Sequence, residues 1–510
     1  MRSSAPKSIN FYLPSFSGIL LILIFPKFDL ELVAWVALVP LLLSISMTDD
    51  RKTAFHSGFI AGFIYFLGTT YWVVNSIYYY GHLPFFLSVM ILLGMVVTLS
   101  LYIGLFSFLY HFILKNIPLP SSLIAPLLWT SIEFVRTYLL SGFPWSSLGY
   151  SQYRSLPVIQ IADVTGIYGI SFLIVAINAA IVDFFMFRKT KRMSLILGPV
   201  LSIILLVVTL GYGFLALKES DAGKVIKISL VQGNIEQDMK WNQKYQREVF
   251  NAYLRLTRDS LSHNPDIVIW PEASTPFYFG RDKEYTDELT SFVKEHKIYL
   301  LFGTPRVKSF EKGRYTLANS AYLLFPSGEI KGIYDKIHLV PFGEYVPMKS
   351  VLFFVDKLVV AIGDFSPGER YEVFETPKGK FGLVICYEII FPGLVRKFVK
   401  GGADFIATIT NDAWFGNTAA PYQHFSMAVL RAVENRVSIA RAANTGVSGF
   451  IDSKGRILKA SGIFHEGTYT GDIRIGPRKT FYTTYGDIFT YVCLGLTVGF
   501  YFLAMAYKKP

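Results

Sequence analysis

The sequence predicts a polytopic α-helical membrane protein that carries one α/β domain between its last two spans, and three observations predict it. Apolar residues make up 52% of the 510-residue chain and the mean hydropathy is +0.40, too apolar for a soluble chain of this length. The excess is uneven, lying before about residue 218 and after about residue 485. Between those limits, short β-branched strands alternate with helical stretches, the pattern of a layered α/β domain. The expected boundaries are 1–217 for helices one to seven, 218–485 for the α/β domain and 486–510 for helix eight with the C-terminus.

A bilayer core of about 30 Å requires roughly 20 apolar residues in helix. Eight stretches approach that length, at about 9–26, 30–47, 54–75, 84–114, 119–140, 163–187, 194–217 and 486–507. No small-residue cleavage site follows the first, and a second starts almost at once, so the first is expected to remain as a span. Basic residues then set the orientation. Arg2 and Lys7, Arg51 and Lys52, Lys115, the run Arg188–Arg192 and the terminal Lys508 and Lys509 all fall on one side, whereas the connections near 26–30, 76–83 and 141–162 are sparse in them. The positive-inside rule places both termini in the cytoplasm and 218–485 outside. The run RKTKR reads first as a topology determinant and second as a headgroup patch. Much of the formal charge of +12 flanks apolar runs in this way, so nucleic acid is not an expected partner. The loop SGFPWSSLGYSQY, 141–153, is irregular and aromatic; it reads either as an interfacial aromatic belt or as part of a lipid or lipoprotein site.

Within the α/β domain, strands are expected at 224–232, 266–270, 298–303, 321–325, 382–386, 404–410 and 437–443. Helices are expected at 242–262, 283–296, 389–400 and 421–436. FPSGEI and IDSKGRI are turn-centred and predict hairpins at 325–330 and 451–457, hence a mixed sheet.

The residues that carry chemistry fall at strand ends. DIVIWPEAS puts Glu272 just past an apolar strand, where sites of open α/β sheets gather. GLVICYEIIFP puts Cys386 at the matching end of another, with a helix pattern directly after, so a helix N-terminal field is expected to favour its thiolate. IYDKIHLVPFGEYVP holds Lys336 with Glu344 eight residues on. A carboxylate base, a thiol nucleophile and a lysine facing the developing oxyanion make a complete covalent catalyst. Taken singly, each has a plainer reading: a small buried thiol, a helix-terminal charge, a surface lysine. Cys386 and Cys493 are too few for a disulfide framework, and Cys493 lies in an apolar run.

The strings WPEAS, YDKIHLVPFGEYVP and VICYEIIFP resemble the three signature segments of the nitrilase superfamily. With the membrane flanks they resemble the apolipoprotein N-acyltransferase family, as do QGNIEQDMKW, TNDAWFG, QHFSMAVLRAVENR and PWSSLGYSQ. The resemblance implies a four-layer αββα sandwich and the triad Glu272, Lys336 and Cys386. It further implies supporting roles for Glu344 and Glu388 and substrate contacts for Trp241 and Tyr387. The implied activity passes an acyl chain from a phospholipid, through a Cys386 thioester, to the N-terminal amine of a diacylglyceryl-cysteine apolipoprotein. It implies a bacterial inner-membrane setting with the catalytic domain periplasmic. Thioester to amide is downhill, so no cofactor is expected, and the scattered histidines show no metal-ligand spacing.

A thioester needs shielding from water. The apolar segment 351–365, interrupted by Asp356 and Lys357, is an expected interfacial flap, with a buried core helix as the alternative. Two other functions remain open on the sequence. A membrane-anchored nitrilase-type amidase would use the same triad with water as acceptor. A transporter would place charge at mid-membrane, where only Glu133 and Arg136 stand out.

Overall fold

The computed structural model describes residues 9–191, 193–220, 223–240, 242–311, 314–345, 365–476 and 479–507. Contacts divide the chain into two units, one of residues 1–74, 85–219 and 485–510, the other of 75–84 and 220–484.

The first unit is helical. Among the described residues, four helices are long and apolar enough to cross a membrane: Phe85–Asn116, Ile167–Thr190, Ser194–Lys218 and Ile488–Ala506. A fifth is added if Arg51–Thr70 and Val73–Tyr80 count as one broken span. Three of the expected stretches do not pass that test of length and composition among the described residues. Ile9–Leu23 has 15 residues, a rise of about 22 Å. The stretch at 30–47 divides into a 3₁₀ turn, Glu31–Trp35, and a nine-residue helix, Val39–Met47. Ser121–Tyr138 has 18 residues but buries Ser121, Ser122, Thr130, Ser131, Glu133, Arg136 and Thr137. Small residues allow close packing: a Cβ on Gly58 would lie 2.2 Å from the Ser107 hydroxyl, so Arg51–Thr70 meets Phe85–Asn116 nearly backbone to backbone.

Glu133 and Arg136 are explained by the aromatic loop. Glu133 Oε1 accepts from Trp129 Nε1 at 3.0 Å and from the Leu148 amide at 2.9 Å. Arg136 donates to Ser147 Oγ at 2.9 Å and lies 5.2 Å from the Phe66 ring centre. The Tyr65 hydroxyl donates to the Ser146 carbonyl. Trp145 and Tyr150 are each 1% exposed, so they pack inside this unit and form no outward-facing belt. Glu133→Ala strands two buried donors, each worth about 1–3 kcal/mol. The detergent-solubilised variant is expected to melt several degrees lower, whereas Glu133→Gln, which keeps an acceptor oxygen, should recover most of the loss.

Among the described residues, the second unit is built on twelve strands: β1 (Lys224–Gln232), β2 (Ile267–Ile269), β3 (Leu300–Glu311), β4 (Arg314–Leu324), β5 (Ile330–Asp335), β6 (Val373–Thr376), β7 (Gly379–Ile385), β8 (Phe405–Thr410), β9 (Ser438–Ala443), β10 (Gly449–Ile451), β11 (Ile457–Ala460) and β12 (Gly467–Ile475). They form two six-stranded mixed sheets, ordered β12-β1-β2-β3-β4-β5 and β11-β10-β9-β8-β7-β6. Strands β1, β2 and β3 run parallel, as do β7, β8 and β9. The apolar runs fall on these central strands because both their faces are covered. The two predicted hairpins join β4 to β5 and β10 to β11. Strands β6 and β12 carry no such run; β12 is half-exposed, and its antiparallel pairing with β1 is what makes it a strand. One core lies around Trp270, whose indole N–H donates to Thr257 at 2.7 Å and whose ring stacks on Tyr253.

Candidate active site

Three strand ends bring the chemistry-bearing residues together. Glu272 follows β2, held by Pro271 and by an unusual approach to β3. A Cβ on Gly303 would lie 2.7 Å from Glu272 Cα and from the Ala273 amide, so only glycine lets β3 support this turn. The Gly303 amide donates to the Pro271 carbonyl at 3.2 Å, and the Ser274 amide to the Gly303 carbonyl at 2.8 Å. Lys336 follows β5, and its amide donates to the Asn319 carbonyl on β4 at 2.8 Å. Cys386 follows β7 and opens a five-residue 3₁₀ turn, Cys386–Ile390, with φ of +52°. That left-handed conformation turns the thiol off the end of the strand at a cost of about 1–2 kcal/mol.

Lys336 is 1% exposed and lies between two carboxylates. Its ammonium is 3.6 Å from Glu272 Oε1, 3.1 Å from Glu344 Oε1 and 3.0 Å from Glu344 Oε2. Asn319 bridges the same pair, donating through Nδ2 to Glu272 Oε1 at 2.7 Å and to Glu344 Oε1 at 2.8 Å. The Asn411 amide donates to Glu272 Oε2 at 2.8 Å and the Val340 amide to Glu344 Oε2 at 2.8 Å. Burial works against the Lys336 ammonium, but Glu344 and then Glu272 more than offset it and hold the group charged, well above the usual lysine range. Lys336 therefore serves as a fixed cation and not as a proton donor.

Cys386 departs from the sequence expectation. Burial pushes its thiol well up, the Glu272 carboxylate pushes in the same direction, and Lys336 opposes both. The field of one short 3₁₀ turn does not overcome desolvation. The resting group is a thiol, so attack requires a base. Of the carboxylates acting on it, Glu272 is the stronger and Asp412 the weaker.

Glu388 is a clamp. Its Oε1 accepts from the Tyr334 hydroxyl at 2.8 Å, the Ile337 amide at 2.7 Å and the His338 amide at 3.0 Å, and its Oε2 from the Ile385 amide at 2.7 Å. It thereby ties the Lys336 loop to the residue before Cys386. Burial nonetheless pushes its carboxyl up to about 7. Tyr387 is 9% exposed, its ring centre 5.8 Å from His338 and 5.1 Å from Phe391. Trp241 and segment 351–364 of the expected flap lie outside the described residues.

Other residues close the site that the sequence did not single out by position, although Asp412 and His424 lie in the strings TNDAWFG and QHFSMAVLRAVENR. His424 Nε2 lies 3.1 Å from the Cys386 carbonyl, and its Nδ1 lies 3.0 Å from Arg441 and 3.1 Å from Asp412. A carbonyl can only accept, so Nε2–H donates to it. Burial and then Arg441 lower the His424 pKa, against the raising influence of Asp412. Asp412 also accepts from Arg441 at 2.9 Å, and it is held down to about 2, burial being outweighed by Arg441 and then His424. The segment 75–84 belongs to this unit as well: Asn75 and Ser76 donate to the Trp414 carbonyl at 3.1 and 2.8 Å, and Tyr80 packs edge-on against the Trp414 ring. Asn319 carried no such sign, since Thr316 and Ser320 share its strand string TLANSAYLL.

Comparison with known proteins gives two family matches. Residues 17–180 match the apolipoprotein N-acyltransferase N-terminal domain, and residues 227–479 match carbon-nitrogen hydrolase. The chain is 44% identical over 486 residues to apolipoprotein N-acyltransferase of Geobacter metallireducens, covering 94% of this chain and 92% of that one. It is 31% identical over 504 residues to the protein of the same name from Pasteurella multocida, covering 96% and 94%. Among solved structures, an amidase of the nitrilase superfamily from Nesterenkonia AN1 is 19% identical, covering 52% of this chain and 94% of that one with a TM-score of 0.38.

Proposed function

The chain belongs to the apolipoprotein N-acyltransferase family, and from that premise we propose how its site performs the transfer: an acyl chain passes from a membrane phospholipid to Cys386 and then to the N-terminal amine of a diacylglyceryl-cysteine apolipoprotein. The observation that carries this reading is the buried arrangement of Lys336 between Glu272 and Glu344 beside a protonated Cys386 thiol.

In the first half, Glu272 takes the thiol proton as sulfur attacks the phospholipid ester carbonyl. Lys336 supplies fixed positive charge to the tetrahedral oxyanion. The carbon–oxygen bond breaks, and the lysophospholipid alkoxide leaves with the proton from Glu272. In the second half, the acceptor's α-amine, with an ordinary pKa of about 7.7–8.0, attacks in its neutral form. The carbon–sulfur bond breaks, Glu272 receives the ammonium proton, and Cys386 regains it. Glu344 sets the position and charge of Lys336, Glu388 positions the two loops, and Tyr387 and Trp241 contact substrate.

The αββα layering implied by the resemblance is supported by contacts of β1 and β12 with β9, with Gln246–Ser260 on β1 and β12 and Pro392–Lys400 and Ala420–Asn435 on the second sheet. The eight-span count is supported by a helix within each of the eight expected stretches, Ile9–Leu23, Val39–Met47, Arg51–Thr70 and Ser121–Tyr138 joining the four long ones. We assign both termini to the cytoplasm and 218–485 to the periplasm of a bacterial inner membrane; the distribution of Lys and Arg supports the sidedness, and the family supports the bacterial membrane.

Intact mass separates transfer from hydrolysis. Protein incubated with phospholipid and no acceptor is expected to gain one acyl chain on Cys386, to keep it in water, and to lose it when a diacylglyceryl lipopeptide is added. Release of free fatty acid without acceptor would instead indicate an amidase-like hydrolase.

A further inference from the structure

A second buried lysine stands at this site. Lys240 ends the short helix Gln237–Lys240 and is 1% exposed. Its ammonium donates to the Glu272 backbone carbonyl at 2.8 Å. Its neighbour Gln237 accepts from Asn411 Nδ2 at 2.7 Å, and the Asn411 backbone amide in turn donates to the Glu272 carboxylate. Among the described residues no carboxylate forms an ion pair with Lys240, whereas Lys336 has two.

A buried ammonium is costly, and a neutral donor would serve a carbonyl equally well, so the hydrogen bond does not account for the charge. The charges around it do. Glu272 and Glu344 carry two negative charges against one on Lys336, an excess of one in a desolvated site. When the Cys386 proton moves to Glu272, that excess passes to sulfur. Lys240 lies against the Glu272 turn through its hydrogen bond to the Glu272 carbonyl, and the fields of Glu272 and then Cys386 both favour its charge.

We propose that Lys240 is a second functional cation of this site, a positioning residue that holds the Glu272 turn by its carbonyl and offsets the negative charge shared between Glu272 and the Cys386 thiolate. The inference rests on Cys386 being the nucleophile. Burial lowers the Lys240 ammonium to about 8, against the opposing fields of Glu272 and then Cys386. The site's charge balance should therefore change in the alkaline range.

The test compares full-length Lys240→Met and Lys240→Arg with the unaltered enzyme in detergent. Alkylation of Cys386 by iodoacetamide is followed across pH by peptide mass, and thioester formation is followed from phospholipid in mixed micelles. Lys240→Met should slow alkylation at neutral pH about tenfold and slow thioester formation about tenfold or more. Lys240→Arg, which keeps the charge, should recover part of both rates. Unchanged rates in Lys240→Met overturn the proposal, even if its melting temperature falls, because a purely structural lysine would behave that way. If Lys240→Met does not fold, Lys240→Gln, which can still donate to the Glu272 carbonyl but carries no charge, decides by the same two rates, and rates equal to those of the unaltered enzyme overturn the idea. Failure of the nucleophile reading would show separately, as acyl transfer that survives Cys386→Ala.

Discussion

Cys386→Ala is expected to abolish lipoprotein N-acylation, lowering the rate by about four orders of magnitude or more, while leaving the fold intact. The chemistry sets the size of the effect: no other group at this strand end can carry the acyl chain, so both half-reactions are lost together. The backbone predicts the spared fold. Alanine replaces the thiol at φ of +52°, a conformation whose cost of about 1–2 kcal/mol is already borne by cysteine, so little is added. Melting temperature in detergent should change little, and the acyl adduct should vanish from the intact mass. Retention of an acyl adduct in this variant, or of N-acylated product, would remove Cys386 from the mechanism. Cys386→Ser tests the base: a serine hydroxyl is far less acidic than a thiol, so Glu272 should activate it poorly and only traces of acyl-enzyme should form.

Glu388→Ala is expected to be the most damaging substitution of a residue that does not itself react. It strands the Tyr334 hydroxyl and the amides of Ile337, His338 and Ile385, all of which now end on one carboxylate. Each buried donor left unsatisfied costs about 1–3 kcal/mol; with water returning to part of the vacated space, a net loss of about 3 kcal/mol or more follows, together with release of the Lys336 loop from the Cys386 turn. Thermal unfolding and thioester formation should both suffer, and an unperturbed melting point would contradict the clamp. The pH dependence has a definite sign. The folded protein keeps a proton on Glu388 up to about 7, against 4.5 for an unperturbed glutamate, so between those values the native state binds more protons than the unfolded one. The stability contributed by this group is full below the lower value and declines as pH rises toward the upper one. Glu388→Gln, which does not titrate, should flatten that part of the profile.

The legibility of the site differed by residue type. Glu272 and Cys386 stood out because each ends an apolar run, at a strand end where an α/β domain exposes side chains, and Lys336 because it lies in a third unusual string beside them. Glu344 and Glu388 were legible only through resemblance, since an isolated glutamate carries no local sign of which donors will surround it. Asn319, Asn411, His424, Asp412, Arg441 and Lys240 are spread over 201 residues of chain, from position 240 to position 441. What unites them is the meeting of loops from different strands.

Hydropathy had a comparable reach in the helical unit. It located the apolar segments, because partition into lipid depends on composition over a window of residues. It did not locate the breaks within 30–47, nor foresee that Trp145 and Tyr150 turn inward, because those outcomes depend on buried partners such as Glu133 and Arg136.

By itself, then, the sequence determined the division into apolar helices and an α/β insert, the central strands, and the three strings that hold Glu272, Lys336 and Cys386. These are local or windowed properties, set by side-chain periodicity and by short strings. Only the tertiary structure decided that the Cys386 thiol rests protonated, that Lys336 is held charged by two carboxylates, that Glu388 is a clamp and that Lys240 is buried against the base-bearing turn. Protonation state follows from desolvation and from charges a few ångströms away in space, and neither exists until distant segments have packed together.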